Sequence, residues 1–510
     1  MVKRSLAIVL SAVVLTTGFL SGCKASKTGT KGDDEFTIYG GDLFTPDEDG
    51  DVYKALNEKL GGHLKFIEST WDSRHDKLNM LISSGDTPDM FSYGYTNGEN
   101  VQKLVKQDLI TELTPYADKY PNIKERLEKY SIVKNANNGY YYNIPTTSDY
   151  GDYEVTVPHA WFYRKDIVEK LGLKLPTNAD EMYEFLKAIS QSDVDGNGQN
   201  DTFGMTVETD YFLYPLYNLF GGDMYRYEKV GNEYKPLVIS DKMKQGVAYI
   251  KRLYDEKILD NEFMLTPSQD VMLEKFISGK AGVIFTNYKY NNIAEKFQKA
   301  YPDKNPRDLV AYMPMLYNSD GEQKVSGNYN FFGALYIKKQ PNEERTNKIL
   351  KFIDYLMSDD GMTLLRYGVE GKDYKKENGK IVSTLGKDEN GNPVKIEDVD
   401  KAALVKQFVS YDVMYMDDTT PNRDYLEYIV SENHKTGIPN PFAYAFIDPN
   451  KMDPTEVTAL EEYTQKTITK LIVESKDLDK DWDSYVNEYM AKGGNKLIPI
   501  MNEQAPSLLK

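Results

Sequence analysis

Short extended runs alternate with amphipathic helical stretches through this chain, and that alternation leaves few architectures open. The extended candidates are 35–39, 63–68, 89–93, 161–164, 281–285 and 332–338. Between them lie helical patterns such as NADEMYEFLKAIS. There Asn178 can cap, Glu181 sits three residues on, and Met182, Phe185, Leu186 and Ile189 fall on one face. Strands separated by helices predict an α/β architecture with helices covering largely parallel sheets. A chain of 510 residues exceeds one ordinary core, so at least two lobes are expected. No repeat period and no Pro-rich or Gly/Ser-rich linker divides the residues beyond 33. The lobes must then be intertwined or joined by short ordered crossings.

The first 23 residues, MVKRSLAIVLSAVVLTTGFLSGC, open with Lys3 and Arg4 and continue as an apolar run broken only by small and hydroxylated residues. This is the pattern of a secretory signal. It stops short of the roughly 18 to 20 unbroken apolar residues of a spanning helix. Leu20-Ser21-Gly22-Cys23 resembles a bacterial lipobox. The resemblance implies a signal peptide over 1–22, lipid on the Cys23 sulfur, and a small polar tether over 23–33. Lipobox processing supplies the more than one acyl chain that stable anchoring needs. It also accounts for a secreted chain with a single cysteine.

Composition removes several functions. The 62 Lys+Arg against 79 Asp+Glu give a formal net charge of −17, and the sequence pI is about 4.9. Nucleic-acid binding needs a net basic face to displace counterions, so no nucleic-acid partner is expected. One cysteine excludes a disulfide framework and a multi-thiolate zinc site. His63, His75, His159 and His434 show no HExxH or HxH spacing, which gives no support for a catalytic transition metal.

Several local patterns together resemble one family, the large lipid-anchored extracellular solute-binding proteins of bacterial ABC importers that take up oligosaccharides. Ser83-Ser84-Gly85-Asp86-Thr87-Pro88-Asp89 is similar to the family's turn between the first long helix and the next strand. Gly85 can close a helix there and Pro88 stops its continuation. Trp161-Phe162-Tyr163-Arg164-Lys165-Asp166 with Leu171-Gly172-Leu173 resembles the crossing strand and the helix start after it. Phe276 with Gly279-Lys280-Ala281, the run Gly368-Val369-Glu370-Gly371-Lys372-Asp373-Tyr374, and Asp481-Trp482-Asp483-Ser484-Tyr485-Val486 extend the likeness to the C-terminus.

The resemblance implies a two-lobed periplasmic-binding-protein-like (type II) α/β fold, with hinge crossings and a ligand cleft between the lobes. It places crossings at 161–164 and 331–337, lobe 1 in 34–163 and 332–398, and lobe 2 in 164–331 and 399–510. The lobes would move as rigid bodies about the crossings. The partners it implies are an oligosaccharide and the ABC permease in the membrane. The protein would work as a monomer, anchored outside the cell membrane through Cys23, and a lipobox without an outer-membrane signal fits a Gram-positive surface.

The sharpest chemical motif is Asp193-Val194-Asp195-Gly196-Asn197-Gly198-Gln199-Asn200-Asp201. Oxygen-bearing side chains at Asp193, Asp195, Asn197 and Asp201, Gly198 at the sharp turn and Gln199 offering its carbonyl reproduce the start of an EF-hand-type loop, so a structural Ca2+ is expected. Gly204 stands where the bidentate Glu belongs, so another carboxylate would have to complete the cage. A solvated Asp/Asn/Gly turn is the alternative. The second acidic run, 47–51, has its glycine in the wrong place and reads as a loop and helix start.

Tyrosine is abundant, at 40 residues beside 3 Trp and 20 Phe. Sugars present flat C–H faces and many hydroxyls, so a saccharide site wants aromatic plates with polar partners. Open α/β sheets place ligands beyond the carboxyl ends of strands. That selects Tyr39, Tyr93, Tyr95, Asn287, Tyr288 and Tyr290 as candidates. Trp71 and Trp161 could stack on a ring, and the resemblance adds Glu370 and Tyr374. Any one of these tyrosines could equally be a partly buried ring. Trp482, with Tyr485, Val486 and Tyr489 on one helical face, reads as core.

Two other functions are open. A glycan-processing enzyme would need paired carboxylates that 79 acids do not single out. Ser131-Ile132-Val133-Lys134 and Lys435-Thr436-Gly437 follow the order used by penicillin-binding enzymes, without a Ser-Asp-Asn between them, and no GxSxG, Walker or GxGxxG pattern occurs. A peptide receptor on the same fold would favour charged clamps over an aromatic wall.

Overall fold

The computed structural model describes residues 34–509, apart from 71–72, 94–102, 137–138, 149–152, 195–197, 200, 266–267, 288, 389–392, 412–415, 417–419, 446 and 449. Cys23, Trp71, Tyr95, Tyr288, Asp195 and Asn197 lie outside the described residues, and only the backbone of Tyr93 is within them.

The chain first lays down β1 (Glu35–Tyr39), β2 (His63–Phe66), β3 (Met90–Tyr93) and β4 (Ile144–Thr147). β1 runs parallel to β2 and β3, with helices Asp51–Leu60 and Arg74–Ser83 between them in sequence. A second sheet is built from β5 (Ala160–Arg164), β6 (Phe203–Thr206), β7 (Ala281–Thr286) and β8 (Val310–Met313), in the order β8-β5-β7-β6. β9 (Phe331–Ile337) then returns to the first sheet, giving β2-β1-β3-β9-β4. Both sheets are mixed rather than largely parallel. β9 is antiparallel to β3 and β4, and β5 is antiparallel to β7 and β8. The register gives the reason. Ala160 pairs with Thr286 at the end of β7, and Ala334 with Tyr93 at the end of β3, so each incoming strand enters at the carboxyl edge and runs against its neighbours.

The runs 161–164 and 331–337, expected as crossings, are therefore internal strands with partners on both sides. Two short ladders lie just ahead of them in sequence. Val155–Thr156 pairs antiparallel with Asn328–Tyr329, and Val325–Ser326 runs parallel to Gly437–Ile438. A run of bulky β-formers has the same composition in a crossing and in a buried strand, and burial decides between them. Segment 401–408, expected in the second lobe, belongs with the first sheet. Asp400 accepts the Val52 N–H at 3.0 Å, and Gln407 Oε1 accepts the Asp42 N–H at 3.2 Å.

Local signals in the sequence fold as their chemistry requires. Asn178 caps helix Ala179–Ser190 by accepting the Glu181 N–H, and Met182, Phe185, Leu186 and Ile189 are all buried. The Glu181 carboxylate reaches back to the Thr177 N–H at 2.8 Å. Gly85 adopts φ +84° after helix Arg74–Ser83, and the Asp86 N–H donates to Leu81 O at 2.9 Å. The acidic run ends as the start of helix Asp51–Leu60, and Trp482, Tyr485 and Tyr489 are core.

Candidate functional site

At the carboxyl edge of β6 and β7 the chain gathers aromatic side chains around a buried imidazole. His159 immediately precedes β5, whose first residue pairs with the last of β7, so it sits at this edge. Its Nδ1 lies 3.0 Å from the Tyr214 hydroxyl. Tyr211, Phe212 and Phe285 pack around it with ring centroids 5.7, 5.2 and 5.8 Å away. Burial pushes the His159 pKa down to about 3, so the ring is neutral at physiological pH. Tyr211 is 45% exposed and tilts against Tyr214, with centroids 5.9 Å apart. The inner ring of this group is fixed and the outer one presents a face to solvent. Tyr225, 51% exposed, lies two residues after Asp223, whose Oδ1 accepts the Tyr225 and Arg226 N–H groups at 2.8 and 3.0 Å. Burial above all, then the Glu461 carboxylate, pushes its hydroxyl up to about 12.

The carboxyl edge of the first sheet is built by Gly40 and Gly41. A Cβ on Gly40 would fall 2.6 Å from Ser92 Cβ, and Gly41 has φ +64°, so glycine at both positions lets this loop close over β3 and segment 401–408. Ser92 Oγ lies 3.5 Å from the Tyr411 hydroxyl, and the Tyr411 N–H donates to Thr147 O at the end of β4. Arg74 stands close enough to lower the pKa of both Tyr39 and Tyr411, although burial raises each overall, Tyr39 to about 12.

The candidates chosen from sequence divide sharply. Tyr39, Trp161 and Tyr290 are 0%, 1% and 1% exposed and offer no face to a ligand in this conformation. Tyr39 donates to Arg74 O at 2.7 Å, Trp161 packs on Phe285 at 4.6 Å, and Tyr290 meets Tyr425 edge-on at 4.7 Å. Tyr39 ends β1, Trp161 is the second residue of β5 and Tyr290 begins helix Tyr290–Ala300, and in each case the side chain is taken by the inward face. Asn287 is exposed just past β7. Glu370 pairs with Lys376 at 3.2 Å, and Tyr374 is buried against Tyr367. Their Gly-x-Glu-Gly run is a turn wound on Asp373, whose Oδ2 accepts the Val369 N–H at 2.9 Å. His159, Tyr211, Tyr214, Arg74, Ser92 and Tyr411 were not among the sequence candidates. For Tyr211 and Tyr214 the signal was the aromatic run 211–214, a few residues beyond β6; the other four carry no local signal.

The acidic loop offers one strong indication of a cation. Asp193 Oδ2 accepts the Gly198 N–H at 3.0 Å, while Asp193 Oδ1 is buried without a hydrogen-bond partner among the described residues. A buried carboxylate oxygen left so is costly, and a hard cation would satisfy it. Gly198 has φ +84°. Among the described residues no group of three or more His, Cys, Asp or Glu converges on a metal-binding point. Position twelve is closed to a carboxylate because a Cβ on Gly204 would sit 2.4 Å from Leu186 O.

Two cavities of about 210 Å³ are present among the described residues, and the second reaches Thr147 at the end of β4. One is lined by Arg164, Lys170, Val194 and Tyr301, the other by Arg126, Tyr130, Thr147 and Asn330. The Lys435-Thr436-Gly437 triplet serves the connection instead, its Thr436 O accepting the Val325 N–H at 3.0 Å. No helix among the described residues is long and apolar enough to cross a membrane.

Comparison with known proteins agrees with this architecture. The chain is 25% identical over 527 residues to Lipoprotein LipO of Bacillus subtilis (strain 168), covering 98% of each chain. It is also 25% identical over 515 residues to the polygalacturonan/rhamnogalacturonan-binding protein YtcQ of the same organism, again covering 98% of each. Among solved structures, the ABC-transporter substrate binding protein FusA of S. pneumoniae, an EF-hand mutant in complex with fructo-nystose, superposes with TM-score 0.66 at 19% identity over 92% of this chain and 98% of that one. That likeness shows the type II periplasmic-binding fold. Residues 46–363 match the model of bacterial extracellular solute-binding proteins. The chain belongs to this family of extracellular solute-binding proteins, receptors that bind their solute and do not transform it.

Proposed function

We propose that this protein is the lipid-anchored receptor of an ABC importer and captures an oligosaccharide between its two sheet edges. The observation that carries the reading is the exposed Tyr211 ring beside Tyr214 and the neutral His159, at the carboxyl edge of the second sheet in a chain of the solute-binding family. An aromatic plate stacks on a sugar face, and the hydroxyls and carboxylates beside it meet the sugar's hydroxyls. YtcQ and FusA, whose names specify saccharides, support the same ligand class. Tyr93 at the end of β3 and Asn287 just past β7, with Tyr95 and Tyr288 near them in sequence, remain proposed ligand residues. Lobe 1 spans 34–154 and 330–410 and lobe 2 spans 157–327 and 411–510, with the ladder between Val155–Thr156 and Asn328–Tyr329 as the hinge. Ligand closes the lobes to the extent that it binds the closed form better than the open one.

The loop of Asp193, Asp195, Asn197, Gln199 and Asp201 holds a structural calcium ion in this reading. The partnerless Asp193 oxygen supports it, as does the EF-hand named in FusA. Cys23 carries the lipid. A thermal-shift and calorimetric screen of oligosaccharides and peptides tests the ligand class, because a ligand of the folded form raises its melting temperature. Saccharides recovered uncut by chromatography agree with a receptor. A shift with peptides alone sinks the saccharide reading. Replacing Cys23→Ala should release the protein from the membrane fraction.

A further inference from the structure

Both strands of the ladder Val155–Thr156 with Asn328–Tyr329 run directly into the aromatic group of His159, Tyr211 and Tyr214. His159 stands three residues after Thr156, and Ser326 two residues ahead of Asn328. Each exit is fastened by a buried asparagine. Asn218 ends helix Tyr214–Asn218, whose first residue carries the hydroxyl 3.0 Å from His159 Nδ1. Its Oδ1 accepts the Ser326 N–H at 2.9 Å, and its Nδ2 donates to Gly222 O at 2.8 Å. Asn433, on helix Arg423–His434, donates from Nδ2 to His159 O at 3.0 Å, and its Oδ1 accepts the Tyr312 hydroxyl at 2.7 Å. Thr436 joins that helix to the other strand: its hydroxyl donates to Asn433 O at 2.7 Å and its carbonyl accepts the Val325 N–H at 3.0 Å. These bonds close a circuit from Tyr214 through His159, Asn433 and strand 325–326 to Asn218, one short helix away from Tyr214. Between Ser326 and the ladder, Gly327 packs so tightly that a Cβ would fall 2.8 Å from Thr156 O, so a displacement of Ser326 is passed on by contact.

We propose that Asn218 and Asn433 are positioning residues that lock the aromatic group to the hinge, so that the way Tyr211 and Tyr214 are held sets how the lobes close. The proposal rests on the cleft reading above and deepens it. The two asparagines are 8% and 3% exposed and have no face for a ligand, so they act on binding through the residues they hold. A ladder two residues deep fixes its own direction weakly. Without the two ties its strands would take several directions relative to the aromatic group. Apparent affinity falls with the fraction of molecules in the binding-competent arrangement, and ordering the rest on binding costs entropy.

Two readouts on the full chain carrying Cys23→Ala decide it. Spin probes on Lys54→Cys and Lys299→Cys, exposed in lobes 1 and 2, give the distribution of distances between the lobes, and calorimetry gives the affinity for neutral and uronate oligosaccharides. Asn218→Leu and Asn433→Leu each sever one tie. Ser326→Ala and Tyr312→Phe are the matched controls. The first removes the bond from the Ser326 hydroxyl to Asp223 Oδ2 and keeps the N–H, and the second removes a bond to Asn433 and keeps the one to His159. Each severed tie should broaden the ligand-free distance distribution and weaken the best saccharide by about three- to tenfold. The controls should lower the urea midpoint and change neither readout. If Asn433→Leu does not fold, Asn218→Leu decides alone. Distances and affinities that match those of the controls overturn the lock and leave the saccharide reading standing. Binding of peptides and of no saccharide overturns the saccharide reading, while the ligand-free distances still uphold or overturn the lock.

Discussion

The Nδ1 of His159 lies 3.0 Å from the hydroxyl of Tyr214, and the exposed ring of Tyr211 packs edge-on against the same imidazole. A buried neutral base thus holds a surface aromatic pair in place. Removing the outer ring should cost binding without costing the fold. Tyr211→Ala is expected to weaken saccharide binding by at least about tenfold. Its unfolding free energy should stay within about 0.5 kcal/mol of the parent. Calorimetry and urea denaturation measure the two.

Acid should act through the same imidazole. The folded pKa of His159 is depressed to about 3, and that of His434 to about 4, both by burial, from the usual value near 6.5. The unfolded chain therefore binds more protons in this window. Stability is fully present above pH ~6.5 and is lost as the pH falls toward 3, at up to about 1.4 kcal/mol per pH unit for each ring. His159→Gln should flatten the stability profile between pH ~6 and ~4, as read from denaturation midpoints.

Asp89 ends the Ser83–Pro88 turn and joins three elements. Its Oδ2 accepts the Thr37 N–H and hydroxyl, each at 2.8 Å, and lies 3.3 Å from an Arg345 nitrogen. Asp89→Ala removes the carboxylate partner of Arg345, which keeps Gln340 Oε1 and Glu35 O, and leaves the Thr37 N–H and hydroxyl without their acceptor, so it should destabilise the protein by about 1 to 3 kcal/mol. Equilibrium denaturation shows whether it does.

Calcium removal gives a fourth outcome. Chelation should lower the melting temperature, since an ion at 100 times its Kd contributes about 2.7 kcal/mol. In Asp193→Asn the chelator should have little further effect. Gly204→Ala should cost about 1 to 3 kcal/mol whether calcium is present or not, because its Cβ meets Leu186 O and not the metal.

Much of the scaffold was legible because its signals are local. All six extended runs are strands, and the cap at Asn178 and the turn at Gly85 arise from single side chains and one positive φ. Phe203–Thr206 escaped notice because its sequence, FGMT, carries a glycine that packing demands and propensity forbids. With that strand hidden, the loop after it could not be recognised as a sheet edge, and Tyr211 and Tyr214 went with it. Tyr39 and Trp161 were chosen for their position along the chain. Which face of a strand is covered depends on partners far away in sequence, such as Arg74 and Phe285.

The ladder joining Val155–Thr156 to Asn328–Tyr329 is two residues deep, with Val325–Ser326 beside Gly437–Ile438 as an equally short companion. In the proposed closure a joint so slight would store little elastic energy on bending, so nearly all of the free energy of gripping a ligand would appear as affinity, with the stiffness left to the two sheets on either side.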